Sequence, residues 1–363
     1  VIKSHLTFAL CCFTASVVLS GCAESPPDSS KNDGKWETVK PPEVRSSEAQ
    51  EYDNQMITAS EMRKRLGANE NAQFEKTGRS FTTALLANSG VKDLEPLRNQ
   101  PLKALDLSQT EVSDLSPLSD APLEKLVLVR SKVTDLTALQ NKPLDLLDAS
   151  QTDVSDISVV STLSRLEALY LEKAKVADVS PLKDSPVKKL WLNDCPIEDL
   201  SPLKGKFLTE LNLCDTPIES LETVGTMQLG TLWLRNTKVT NLAPIASVEL
   251  VSLDLEGSMV TDLAPLANMS TLQRLNIART EITDLTPLAN LPLSRLIFSP
   301  EKIQSGIEVV RGMPTLRELD TSFDGVAQAM PPAEFWSKYD AGEFASPAKG
   351  NEKKADPGAE ENK

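Results

Sequence analysis

The chain has 363 residues, with 24 prolines, 15 glycines and only 4% aromatic side chains. That is poor material for one compact core and ordinary for a stack of small repeated units. Its formal charge of −14 disfavours nucleic acid and anionic lipid headgroups, while helping an exported chain stay soluble.

The first 21 residues read as an export signal. Lys3 precedes LTFALCCFTASVVL (residues 6–19), an apolar run of signal-peptide length and too short to span a bilayer comfortably. Leu19-Ser20-Gly21-Cys22 follows and resembles a bacterial lipobox. The resemblance implies cleavage before Cys22, its acylation and a lipid tether at the cell envelope. Ala23, where an Asp would signal inner-membrane retention, favours the outer membrane. Val1 in place of Met fits an alternative start codon or a clipped start. Cleavage removes Lys3 and the single histidine, His5, and no acid, so the formal charge moves by one, from −14 to −15. Without histidine the mature chain has no Ser-His-Asp or Cys-His pair and no HExxH zinc site.

Residues 22–50, running through ESPPDSSKNDGKWETVKPPEVRSSEA, have almost nothing to bury and read as a flexible stalk. The tail over 346–363 has the same character. Residues 51–90 read as an N-terminal cap, with a short helix over SEMRKRL (60–66) and a strand in FTTALLANS (81–89). Such a cap hides the leucines that an open stack would expose.

Residues 91–299 carry a strict period. The first position of D-L-x-P-L falls at Asp93, Asp114, Asp135, Asp156, Asp178, Asp199, Ser220, Asn241, Asp262 and Asp284, at steps of 21 or 22 residues. Ten copies in near-constant register mark a solenoid. A clean copy is LKALDLSQTEVSDLSPL (102–118); a worn one is LTELNLCDTPIESLETV (208–224). LxxLxL is a short strand with its leucines facing inward. The small residue after it, Thr110, Thr152, Thr216, Thr237 or Thr280, lies where the chain turns in, and its hydroxyl can satisfy loop amides. Pro at 96, 117, 181, 202, 244, 265 and 287 suits the first position of a 3₁₀ turn on the return side.

This pattern resembles the leucine-rich repeat family, in the short bacterial form seen in internalins. The resemblance implies a parallel concave β-sheet, short 3₁₀ turns on the convex side and ten to eleven coils. Thr, Ser, Cys or Ala replaces the family's Asn ladder, and LxxLxL is eroded at Ala149. A parallel β-helix has coils of similar length but needs two or three strands per coil, and D-L-x-P-L leaves room for one. Residues 300–345 read as a closing cap: a helix, a degenerate strand and a Pro-started helix in which Phe335, Trp336 and Tyr339 fold onto the last coil. This segment resembles the one ending planctomycete-type leucine-rich repeat proteins. The kinase domain some of those carry has no counterpart here.

Nothing in the pattern points to chemistry, a metal or a cofactor. GTMQLGT (225–231) has Thr where a phosphate loop needs Lys, and Gly230 falls in a repeat strand. The regular acids belong to the return turns, where Asp caps local amides. Of five cysteines, Cys195 and Cys214 remain in the repeats. The register separates their Cα atoms by ~8 Å, beyond disulfide reach. Cys195 is expected inward as a small filler, and Cys214 outward and partly exposed.

The central x of LxL forms a column: Asp106, Val127, Asp148, Tyr170, Trp191, Asn212, Trp233, Asp254, Asn276 and Ile297. The flanking leucines occupy the core, so this column is expected on the exposed concave face. Exposed Tyr and Trp with Arg nearby are typical interface anchors. The candidate partner-binding set is Tyr170, Trp191, Asn212, Trp233, Arg235, Asp254 and Arg274. The aromatics either dock a partner or only stiffen the sheet by cross-strand packing. The reading is a non-catalytic, lipid-anchored binding module for a protein, peptide or glycan, touching membrane only through its lipid. The alternative is a polysaccharide-acting enzyme on a β-helix.

Overall fold

The computed structural model describes residues 57–322 and 330–344. The export signal, Cys22, the stalk, residues 51–56 of the cap and the tail lie outside the described residues.

Thirteen strands form one sheet in sequence order. The helix α1 (Ala59–Arg65) opens the described chain. Thr58 caps it by accepting the Glu61 amide at 3.1 Å, and Met62 is buried. The strand β1 (Gln73–Thr77) pairs antiparallel with β2 (Ser80–Leu85). β1 was not legible in the repeat pattern because it precedes the first coil. From β2 onward every strand-to-strand pairing is parallel, and an antiparallel bridge joins Leu319 to Met330.

Most repeat strands are three residues long: β3 (Ala104–Asp106), β4 (Lys125–Val127), β5 (Leu146–Asp148), β6 (Ala168–Tyr170), β7 (Lys189–Trp191), β10 (Ser252–Asp254), β11 (Arg274–Asn276), β12 (Arg295–Ile297) and β13 (Glu318–Asp320). β8 (Phe207–Asn212) and β9 (Gln228–Trp233) have six. The leucines either side of the central position, such as Leu190 and Leu192 or Leu211 and Leu213, are fully buried. Their continuous row is the core, and each coil supplies only a few members of it.

The return side is held by one motif repeated ten times. The first position of each D-L-x-P-L accepts the backbone amide two residues on, from Asp93 to the Glu95 amide through Asp284 to the Thr286 amide. Ser220 and Asn241 serve as well as Asp, because any side-chain oxygen at that reach closes the turn. The prolines at 96, 117, 181, 202, 244, 265 and 287 occupy the second residue of their 3₁₀ turns, as in Ser116–Leu118, rather than the first. Either place leaves no intrahelical bond broken, since the first N–H groups have no partner inside the turn.

The inward threonines act chiefly as donors, and Thr152 also accepts the Val154 amide at 3.4 Å, as expected of a loop-satisfying hydroxyl. Thr110, Thr152, Thr216, Thr237 and Thr280 each give their hydroxyl proton to the carbonyl three residues back, at 2.6–2.7 Å. The residue before each takes a left-handed conformation, from Gln109 at φ 56° to Arg279 at φ 55°. That bend aims its amide at the next coil, as Gln109 does at the Val129 carbonyl. Two lysines cross-link coils from within: Lys142 Nζ donates to the Ser119 and Ala121 carbonyls at 2.8 Å, and Lys206 Nζ to those of Leu182 and Ser185 at 2.7 and 2.8 Å.

Two segments close the far end, α2 (Ile307–Arg311) and α3 (Pro332–Asp340). Phe335 is buried with its ring centroid 5.5 Å from Phe298, so α3 seals the last coil. Arg311 ties the two helices together by pairing with Asp340 at 2.6 Å and lying 4.8 Å over Trp336.

Candidate functional site

Parallel pairing puts the central position of each strand beside its counterpart in the next. Tyr170 pairs with Trp191, Trp191 with Asn212, Asn212 with Trp233, Trp233 with Asp254, and Asp254 with Asn276. The column inferred from the repeat is therefore a physical row along one face of the sheet. Its exposure differs from expectation. Asp106, Asn276 and Ile297 are buried, and the rest are half-buried rather than fully displayed.

The polar members of the row fold back on their own strand ends. Asp106, Asp148, Asn212, Asp254 and Asn276 each accept the backbone amide two residues on, at 2.8–3.1 Å. That contact draws the side chain down onto the sheet. Asn212 and Asp254 thus have a structural duty besides any contact with a partner. Tyr170, Trp191 and Trp233 cannot make this bond. Their coils forgo a local cap and present a ring instead.

The rings touch one another. Tyr170 and Trp191 meet with centroids 5.2 Å apart at 84°, and Trp191 and Trp233 at 5.8 Å and 66°. Edge-to-face contact of this kind is favourable beyond the area it covers. Trp191 Nε1 donates to Glu210 Oε2 at 3.3 Å, and Glu210 also pairs with Lys189 at 2.7 Å. Burial pushes the Tyr170 phenol up to about 12, with the Glu210 and Asp148 charges adding to it.

Trp233 also lines an open groove of about 440 Å³ running over β8 to β12. Of the candidate residues, Trp233, Asp254 and Arg274 line it. Tyr170, Trp191, Asn212 and Arg235 are not among its lining residues. Arg235 is turned toward the strand ends, where it reaches Asp215 at 3.3 Å. Burial raises the Asp254 carboxyl above the usual carboxylate range, against the lowering effect of the Glu256 amide it accepts.

Glu210, Thr231, Ser252 and Arg295 also line the groove, and the sequence reading missed them. They share a column with Arg274, two residues ahead of the aromatic row. In a strand, residues two apart face the same side, so carrying the alternation one step further would have found them.

The cysteines divide as to expectation. Cys195 is buried as expected, and its thiol reaches the Leu171 carbonyl of the preceding coil at 3.0 Å. Cys214 was expected to be partly exposed but is 5% exposed, because Arg235 in the next coil of the same column lies against it. Burial pushes both thiols up to about 12. Both are free. Among the described residues there is no cluster of metal-ligating side chains, and no helix long and apolar enough to cross a membrane.

No protein-family model matches the sequence, and no curated protein does. Among solved structures the chain is similar to an internalin (inlF) from Listeria monocytogenes, at 25% identity and TM-score 0.56, covering 73% of this chain and 90% of that one. It is also similar to a leucine-rich repeat protein from Leptospira interrogans, at 19% identity and TM-score 0.44, covering 65% and 77%. A third likeness is to the ectodomain of the Arabidopsis receptor kinase HAESA, in complex with an extended IDA peptide hormone. There the identity is 18% and the TM-score 0.51, over 65% of this chain and 44% of that one. The parallel sheet with one short strand per coil and a 3₁₀ return turn matches the internalin fold. The chain is a leucine-rich repeat solenoid.

Proposed function

We propose that the protein is a non-catalytic binding module, tethered to the bacterial cell envelope by a lipid on Cys22, which holds an extended peptide segment of a partner protein on its strand face. The observation that carries this reading is the continuity of the Tyr170–Trp191–Trp233 strip with the groove that Trp233 lines. Aromatic anchors beside a polar, charge-bearing groove are the arrangement that recognises a peptide. A sugar chain stacks on flat ring faces. Here the rings are set at 84° and 66° to one another, so they offer no continuous flat platform. The same fold holds a peptide in the HAESA complex.

Two experiments test the reading. Cys22→Ala should move the protein from the membrane to the soluble fraction, and persistent membrane association would refute the tether. The mature chain carrying Cys22→Ser should enrich sequences from a random peptide display library and ignore an oligosaccharide array. Trp233→Ala should abolish the enrichment. Capture of oligosaccharides alone would overturn the peptide assignment, and turnover of one would overturn the non-catalytic one.

A further inference from the structure

Arg274 and Arg295 stand side by side in register on β11 and β12, and both line the groove. Like charges directly opposite one another on a sheet are unfavourable. Arg295 has an acid on its far side, Glu318 at 3.5 Å. On the near side of Arg274, β10 places Ser252. The Arg274 side chain is exposed and has no ion pair or hydrogen bond among the described residues. This is notable in a chain of formal charge −14, where acids are plentiful. The groove's own acids are engaged elsewhere, Glu210 with Lys189 and Asp254 with the Glu256 amide.

We infer that the Arg274–Arg295 end of the groove is a carboxylate subsite, which takes an Asp or Glu side chain of the bound peptide four residues from an apolar side chain seated on Trp233. This rests on the peptide-groove reading and narrows it. A guanidinium grips a carboxylate through two parallel N–H bonds. Trp233 lies on β9, and the midpoint between Arg274 and Arg295 is two and a half strand spacings across, ~12 Å at ~4.8 Å each, and two residues along the strand, ~7 Å, so ~14 Å in all. Four residues of extended chain cover ~13 Å and return a side chain to the same face. Two residues cover only ~7 Å, which would set an acid over β10 and the Asp254 carboxylate, where like charges repel.

The test uses the same selection. Peptides displayed with a free N-terminus carry no free C-terminal carboxylate, so an acidic preference there reports side chains. The expected result is enrichment of Asp or Glu four positions from an aromatic or aliphatic residue. Synthetic peptides made from the enriched set should lose roughly 10- to 100-fold in affinity when that acid becomes Gln, or when the protein carries Arg274→Gln. Arg295→Gln should weaken binding in the same direction. Circular dichroism confirms that the variants remain folded, and neither arginine contributes to the core. Enriched peptides without an acid at that spacing, or binding indifferent to both arginine variants, would overturn the subsite and leave the peptide groove standing. If no peptide is enriched, the groove reading itself fails. Binding of uronic-acid oligosaccharides in place of peptides overturns both.

Discussion

The ring centroids of Trp191 and Trp233 lie 5.8 Å apart although a whole strand, β8, separates theirs. Two strand spacings amount to ~9.6 Å, so the rings lean toward each other over Asn212. The pair is a contact in its own right, besides belonging to the surface proposed for a partner. Trp191→Ala and Trp233→Ala should each lower stability modestly, by about 1–2 kcal/mol, with a coupling of about 0.5–1.5 kcal/mol between them. A double-mutant cycle in urea measures this. Zero coupling would mean that the rings do not pack in solution. A loss above about 4 kcal/mol for either would make them core residues.

Leu211 lies in β8 with no exposed surface. Leu211→Asp puts a carboxylate into the leucine row with no partner and should cost at least several kcal/mol. Thermal unfolding followed by circular dichroism checks it. An unchanged melting curve would contradict the strand register.

Acid should loosen the return side. Asp114, Asp135, Asp178 and Asp199 are held below the usual carboxylate range, chiefly by the backbone amide each accepts, and Asp284 chiefly by the Ser305 hydroxyl. A carboxyl whose folded value is depressed stabilises the fold fully above its unfolded value near ~4, and loses that contribution as pH falls through the folded value. Asp254, raised by burial, works the other way and favours the fold as it protonates. The net expectation is a melting temperature that falls steadily below about pH 4. Asn241 already performs the turn's task without a charge. Asp→Asn at Asp114, Asp178 and Asp199 together should therefore flatten the acid limb, and an unaltered limb would place the acid sensitivity elsewhere.

Cys195 compensates for its neighbour. Ala174, one coil earlier at the same inward position, has no hydroxyl for the Leu171 carbonyl, and the Cys195 thiol bonds that carbonyl instead. Cys195→Ala should cost about 1–2 kcal/mol. The cost should shrink when Ala174→Ser restores a local donor. Equal costs in both backgrounds would deny the link. Buried and pushed up to about 12, neither Cys195 nor Cys214 should react with a thiol reagent at pH 8 until denaturant is added.

The coil, the strand register and the turn-capping acids were legible in the sequence because each is a local pattern repeated ten times, so one worn copy such as 208–224 could not obscure it. The layout of the strand face proposed for binding was legible only in part. Alternation located Trp191 and Trp233, but how far a residue is covered depends on the lengths of side chains in adjacent coils, and the period carries no information about that. Hence Cys214, expected at the surface, lies against Arg235. Asn212 and Asp254 look like free polar groups in the sequence, yet their oxygens close strand ends. β1 stands outside the period altogether, so nothing in the repeat announced it.

The ten return turns and the inter-coil amide bonds fasten every coil whichever side chain stands in the central row, where the Asp and Asn members add only a local strand-end cap. A Trp, a Val or an Asp can stand there while the backbone course stays the same. The row therefore behaves like movable type: a new recognition sequence can be set one coil at a time, and a whole coil inserted or removed would shift the aromatic strip relative to the arginines by one strand width. Such a scaffold lets partner choice drift quickly while folding stays constant.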